Sequence, residues 1–296
     1  MSLSTRTFRL MLAMTPGVGG RTVTRVMARN NLLGRSPEEF LALSRESMRE
    51  EYRLSARASE ALHSRSQGLA AETEALEQRL SALGVHLVTG ADAHYPTLVE
   101  QMDPDAPGLL FMYGNTKLLD SKTFCVLSSR NARPADLDEI ERLTEEGVLA
   151  SEVLVTGHDR PEYQRSAVVP LRWGSPRILC LDRGLFKVLG EDLKDEAFRA
   201  ARLWRYQFDA STDLAISPFR PDADFIGVNN KVRDRLCASL SRRLDFVHIG
   251  SGGNMESLAR LALKAGRDVR VSDRIVGYRE LVGIGANPID SRQSER

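Results

Sequence analysis

Two short polar turns, each directly after an apolar run, hold the residue types best suited to gripping a phosphate. Ser128-Ser129-Arg130-Asn131 follows TFCVL and offers two hydroxyls, backbone N–H groups and one guanidinium. Gly250-Ser251-Gly252-Gly253-Asn254 follows FVHI and leads into an apolar-periodic stretch from Met255 to Ala265. Glycine has no Cβ, so a phosphate or ribose can approach such a turn closely while its N–H groups point outward at a helix start. Each turn also has a plainer reading, a solvated loop for the first and a tight strand-to-helix turn for the second.

Two further segments carry weaker signals of the same kind. NNKVRDRLCASLSRR, Asn229 to Arg243, has five basic residues against one acid, so Asn230, Lys231, Arg233 and Arg235 are candidate phosphate contacts. Many solvated helix faces have the same composition. PGVGGRTV, Pro16 to Val23, has the Gly-apolar-Gly spacing of a helix-hairpin-helix turn, whose amides can bond a DNA phosphate; a tight helical hairpin with no ligand explains it equally.

Catalytic signals are poor. His63, His86, His94, His158 and His248 show no metal-ligand spacing, and His248 reads as a packed strand residue. Asp159, Asp182 and Glu256 come with no nucleophile and no second carboxylate at a diagnostic spacing. No catalytic residue, metal or cofactor is expected. Cys125, Cys180 and Cys237 are scattered singly, two of them inside apolar runs, which suits buried thiols in a reducing cytoplasm and no zinc site.

These turns need a scaffold that exposes strand ends. From Val85 onward, short β-rich runs (HLVTG, LLFMYG, TFCVLSS, VLVTG, RILCL, DLAIS, FVHIG and DVRVS) alternate with helical spacing over 136–146, 192–208, 229–240 and 255–265. That alternation predicts an α/β fold, a Rossmann-like, mainly parallel sheet with flanking helices, whose ligands bind beyond the carboxyl ends of strands. Before it, residues 1–84 read as a small all-helical N-terminal domain. Its landmarks are Ser36-Pro37-Glu38-Glu39, a capping box, and a charged helix from about Leu69 that stops at Gly84. The α/β domain is expected over 85–290 and a polar tail over 291–296. No apolar stretch approaches the ~20 residues of a membrane span. A net charge of +1 means that any polyanion must be held by a local patch.

Taken in order, these pieces resemble the DprA/Smf family of DNA-processing proteins, over roughly Phe8 to Ile289. Tyr95-Pro96 and the Pro107, Leu110, Phe111, Gly114 run match the family's segment leading into the sheet. Ser128-Ser129-Arg130 resembles its Gly-Ser-Arg turn, and Thr156-Gly157 its Ser-Gly turn, which adds Gly157 to the phosphate candidates. Asn229 to Arg233 resembles its Arg-Asn-Arg segment, Gly252 to Met255 its Ser-Gly-x-Leu helix start, and Gly266 to Val269 its Gly-Arg-x-Val strand. The resemblance implies a non-catalytic, cytoplasmic protein that binds single-stranded DNA, forms a homodimer and helps load the RecA recombinase in natural transformation and DNA recombination.

Departures from the family pattern mark a divergent branch. Ser128 stands for the first Gly of the Gly-Ser-Arg turn, Asn229 for the first Arg of the Arg-Asn-Arg segment, and HDRPEYQRSA lacks the small residues usual after Gly157. The C-terminal winged-helix domain that many relatives append is not expected here. Two other readings therefore stand beside the first. One is a nucleotide-binding sensor or nucleoside-monophosphate phosphoribohydrolase-like enzyme, with GSGGNMES as a shortened phosphate loop and Glu256 as acid/base. The other is a DprA-like regulator or antitoxin in a defence system.

Overall fold

The computed structural model describes residues 3–289, without the side chains of 65–67; the tail 291–296 lies outside the described residues. Five helices come first: α1 (Thr5–Met14), α2 (Gly20–Leu33), α3 (Pro37–Leu41), α4 (Arg45–Tyr52) and α5 (Ala56–Ala82). The local chemistry fixes their starts. Ser4, Ser36, Ser44 and Ser55 each accept an amide N–H of the following first turn, and Ser36 and Glu39 complete the expected capping box.

The rest alternates: β1 (His86–Thr89), α6 (Thr97–Met102), β2 (Leu109–Gly114), β3 (Thr123–Ser128), α7 (Pro134–Leu149), β4 (Val153–Thr156), α8 (Pro161–Ala167), α9 (Val169–Arg172), β5 (Arg177–Cys180), α10 (Leu185–Leu189), β6 (Leu214–Ser217), α11 (Asn229–Ser239), β7 (Arg243–His248), α12 (Asn254–Lys264), β8 (Asp268–Val271), α13 (Tyr278–Gly283) and β9 (Asn287–Pro288). One sheet results, in the order β1-β2-β6-β5-β4-β3-β7-β8-β9. Every pairing from β6 to β9 is parallel; β2 pairs antiparallel with both β6 and β1. No helix among the described residues is long and apolar enough to cross a membrane.

Side-chain alternation along the strands splits the core. Leu110, Met112, Ile178, Cys180, Leu214 and Ile216 pack on one face with α6, α11, α12 and α13, whereas Leu109, Phe111, Leu179 and Ala215 face the other way. That second face is shared. Helices α1–α5 cover its β1–β2 end in one continuous cluster with Leu87, Leu109 and Phe111, and α7 covers Phe124, Val126 and Leu154. The three cysteines, distant in sequence, are buried together in the first cluster.

One expected helix is absent. Residues 192–208 carry only a 3-10 turn, Ala200–Leu203, in an otherwise irregular connection. Leu193, Phe198, Ala201 and Phe208 face the core while Leu203, Trp204 and Tyr206 are exposed, and a fully buried cation fixes the path. Arg177 at the start of β5 takes Glu196 at 2.7 Å and Asp213 at 2.8 Å, and Ala167 accepts its remaining nitrogen at 2.9 Å. Conversely, HDRPEYQRSA contains helix α8, started by Pro161.

Candidate functional site

The chain runs outward from β3 through β4, β5 and β6, then returns to place β7 on the other side of β3. At that reversal the connections leave in opposite directions, which opens a crevice beyond the carboxyl ends of β3 and β7. The two phosphate-suited turns lie there side by side. Ser129 N–H donates to the His248 carbonyl at 2.8 Å, and Gly250 N–H donates to Ser129 Oγ at 2.9 Å.

Arg130 is the exposed cation of this crevice, with no ion pair among the described residues. The turn that carries it is held by Asn131, which takes a left-handed φ of 64°, and by Glu162, whose carboxylate accepts Ala132 N–H at 3.4 Å. Lys231, in the first turn of α11, is also exposed and free of ion pairs among the described residues, and half-buried Asn230 precedes it. Ser251 is exposed at the tip of its loop.

Other expected contacts are occupied by the protein itself. Arg233 is fully buried: its guanidinium bonds Asp234 at 2.9 Å, Asp182 at 3.2 Å and the His158 carbonyl, and lies 4.7 Å from the Tyr163 ring. It therefore shapes the crevice floor and cannot reach a surface phosphate. Arg235 is paired with Asp103 and, at 3.3 Å, with Asp105, tying α11 to the end of α6. Gly157 is needed for packing, since a Cβ there would meet the Tyr163 ring at 2.6 Å.

The 250–254 loop is likewise less open than its glycines suggest. Gly252 needs its glycine for a left-handed φ of 66°, and its N–H is taken by Glu256 at 2.8 Å. Gly253 N–H bonds the Gly250 carbonyl at 3.1 Å, and Asn254 donates to Asp234 at 3.1 Å. What remains for a ligand is Ser251 and the first amides of α12. Glu256 itself is paired with Arg260 at 2.9 Å, and these contacts hold its carboxyl below the usual range.

Beneath the crevice, Asp182 collects Arg183 at 2.9 Å, Arg233, and His158 at 3.4 Å. Burial alone would raise its pKa, but the hydrogen bonds from His158 and Arg183 outweigh that and hold it at about 2. His158, Asp159 and Asp182 place ligand atoms within 4.8 Å of one another. A cation there would have to displace guanidiniums, since Arg183 also takes Asp159 at 2.6 Å. In PGVGG, Gly20 packs against the backbone of Gly108 and Leu109, whereas Gly17 and Gly19 are exposed and line a cavity shared with Phe219 and Arg220.

A mainly parallel sheet with a crevice at its reversal point, covered at one end by a helical layer, defines a Rossmann-like α/β architecture. The chain is DprA-like in fold. DNA processing protein A (DprA) from Streptococcus pneumoniae superposes with a TM-score of 0.68 at 19% identity, over 99% of this chain and 97% of that one. DNA processing protein A from Helicobacter pylori, for which a single-stranded DNA binding mode is described, gives 0.54 at 21% identity, over 70% of this chain and 93% of that one. No protein-family model matches the sequence, and no curated protein matches it.

Proposed function

We propose that this chain is a divergent DprA/Smf protein that binds single-stranded DNA across the β3/β7 crevice without catalysis. The observation that carries this is Arg130: an exposed guanidinium with no carboxylate partner among the described residues, on a turn locked to the 250–254 loop by the Ser129–Gly250 bond. A guanidinium fits a phosphate in a bidentate fashion, and Lys231 adds a second free charge on the same edge of the sheet. Glu256, engaged by Gly252 and Arg260, supports a binding role over a hydrolytic one. In the same reading the protein is cytoplasmic, works as a homodimer and hands DNA to a RecA-type recombinase.

The test is titration of a fluorescent oligonucleotide at two salt concentrations. Log affinity should fall against log salt with a slope of about −0.7 per phosphate neutralised. Arg130→Ala and Lys231→Ala should each weaken binding and flatten that slope. Equal, weak binding by all three proteins overturns the assignment.

A further inference from the structure

At the opposite, amino-terminal end of the strands lies a cavity of about 700 Å³, within the range of small-molecule sites. It opens between α1, the 92–98 loop and the residues preceding β3 and β7. Its apolar wall is Val88, Met112 and Leu119, which share one face of the sheet, and its rim carries Arg9, Lys117 and Arg242.

The charges on this rim are unbalanced. Asp92 is consumed by Arg9 at 2.5 Å and by the Thr89 amide and hydroxyl, which leaves exposed Asp120 as the acid against Lys117 and Arg242. Neither Lys117 nor Arg242 has an ion pair among the described residues. Arg9 Nε is buried there without a hydrogen-bond partner. Behind the wall, Arg267 donates to the Leu98 carbonyl at 2.7 Å, yet its Nε is also buried and unpartnered. Burial and then the neighbouring Arg242 guanidinium both hold Arg267 below its ordinary pKa. Two guanidiniums in mutual repulsion, beside a lysine and an apolar wall, would be relieved by an anion attached to an apolar body.

We propose that this cavity binds an organic monophosphate, with Arg242 and Lys117 holding the phosphate and Val88, Met112 and Leu119 packing the body attached to it. The phosphate could belong to a free nucleotide or to the 5′ end of a strand, and both share this chemistry. The site is separate from the β3/β7 crevice and does not depend on the reading given to it.

Isothermal titration of the full chain, carried out in an Arg130→Ala/Lys231→Ala background that removes both free charges of the crevice, tests this with AMP, a 5′-phosphorylated trinucleotide and inorganic phosphate as probes. AMP or the trinucleotide should bind more tightly than inorganic phosphate, and the tighter of the two identifies the source. Arg242→Ala should weaken that binding by about tenfold or more, as expected for one charge-assisted pair, with Arg242→Lys recovering part of it. Arg242 is exposed, so its loss leaves the fold intact. Absence of binding by every probe at about 1 mM, equal binding of AMP and inorganic phosphate, or indifference to Arg242→Ala overturns the proposal. None of these outcomes bears on oligonucleotide binding by the Arg130-bearing protein.

Discussion

Ser129 Oγ accepts the Gly250 amide at 2.9 Å, and this bond extends the β3/β7 pairing, which ends in the Ser129 N–H to His248 carbonyl bond, into the two turns beyond it. It is the side-chain tie between the two turns, beside the backbone bond from Ser129 to His248. Arg130 and Ser251 are held in fixed relation because the hydroxyl between them is fixed.

Ser129→Ala removes that acceptor and leaves the Gly250 amide without its partner. The stability cost should be about 1 kcal/mol, the usual net worth of such a bond. Oligonucleotide affinity should drop more than this small loss of fold stability accounts for, because the 250–254 turn loses its side-chain tie to the turn that carries Arg130. Urea denaturation and an oligonucleotide isotherm on the same variant separate the two effects; an unchanged isotherm would show that the turns do not act together.

Lys231 and Arg233 are two residues apart on α11 but have opposite roles. Lys231→Ala removes an exposed charge, so stability should stay within about 0.5 kcal/mol while the salt slope of DNA binding shrinks by about 0.7. Arg233→Ala leaves Asp182 and Asp234 buried beside a missing guanidinium, and loss of one partner of a buried ion pair costs about 3–5 kcal/mol. A melting-temperature comparison of the two variants decides this. Similar stability for both would mean that Arg233 is not the structural cation its contacts indicate.

Asp182 sets an acid limit on the fold. Its pKa is about 2 in the folded chain against an ordinary 3.8, so the folded state favours the carboxylate. The stabilisation is therefore present above pH 4 and lost as pH falls from about 4 through 2, amounting to about 2 kcal/mol. Asp182→Asn should be less stable at neutral pH and should lose less stability over that acid window. Denaturant midpoints at several pH values test it; parallel pH curves for the two proteins would exclude the role.

The pattern of strands was legible because each run is short, apolar and bounded by a turn: all eight expected runs are strands β1–β8. The two-residue β9 has too little sequence to announce itself, and nothing in LLFMYG distinguishes the reversed direction of β2. Sequence located the crevice for the same reason, since Ser129-Arg130 and the 250–254 glycines stand at strand exits. It erred on which groups stay free. Arg233 and Lys231 look alike in a basic stretch, and only the depth of the helix face, together with Asp182 from another strand, separates a floor residue from a rim residue. Glu256, considered as a catalytic acid, lies one helical turn beyond Gly252, where it bonds the loop amide and Arg260. Residues 192–208 misled because their apolar spacing serves an irregular path around Arg177. The Arg242 cavity left no motif at all, being assembled from α1, a loop and the starts of separate strands.

Gly20 provides the sharpest separation of two readings of one motif. If Gly20 were present to let a DNA phosphate approach rather than to let α2 approach β2, Gly20→Ala would leave the fold intact or stabilise it by about 0.5–1 kcal/mol, the ordinary gain from replacing a helical glycine. In the structure a Cβ at Gly20 would come within 2.9 Å of the Gly108 and Leu109 amide nitrogens, where Thr24 already bonds the Gly108 carbonyl at 2.7 Å. Backbone cannot yield as a side chain does, so α2 must shift off β2, at a cost of about 1–3 kcal/mol. The overpacking exceeds the helix gain, and the variant should be destabilised overall. Limited proteolysis should then release the helical layer α1–α5 sooner than in the wild type, with oligonucleotide affinity at the distant Arg130 crevice preserved in the fraction that remains folded. A stable Gly20→Ala protein with weakened DNA binding would reverse the assignment and return the glycines to a phosphate.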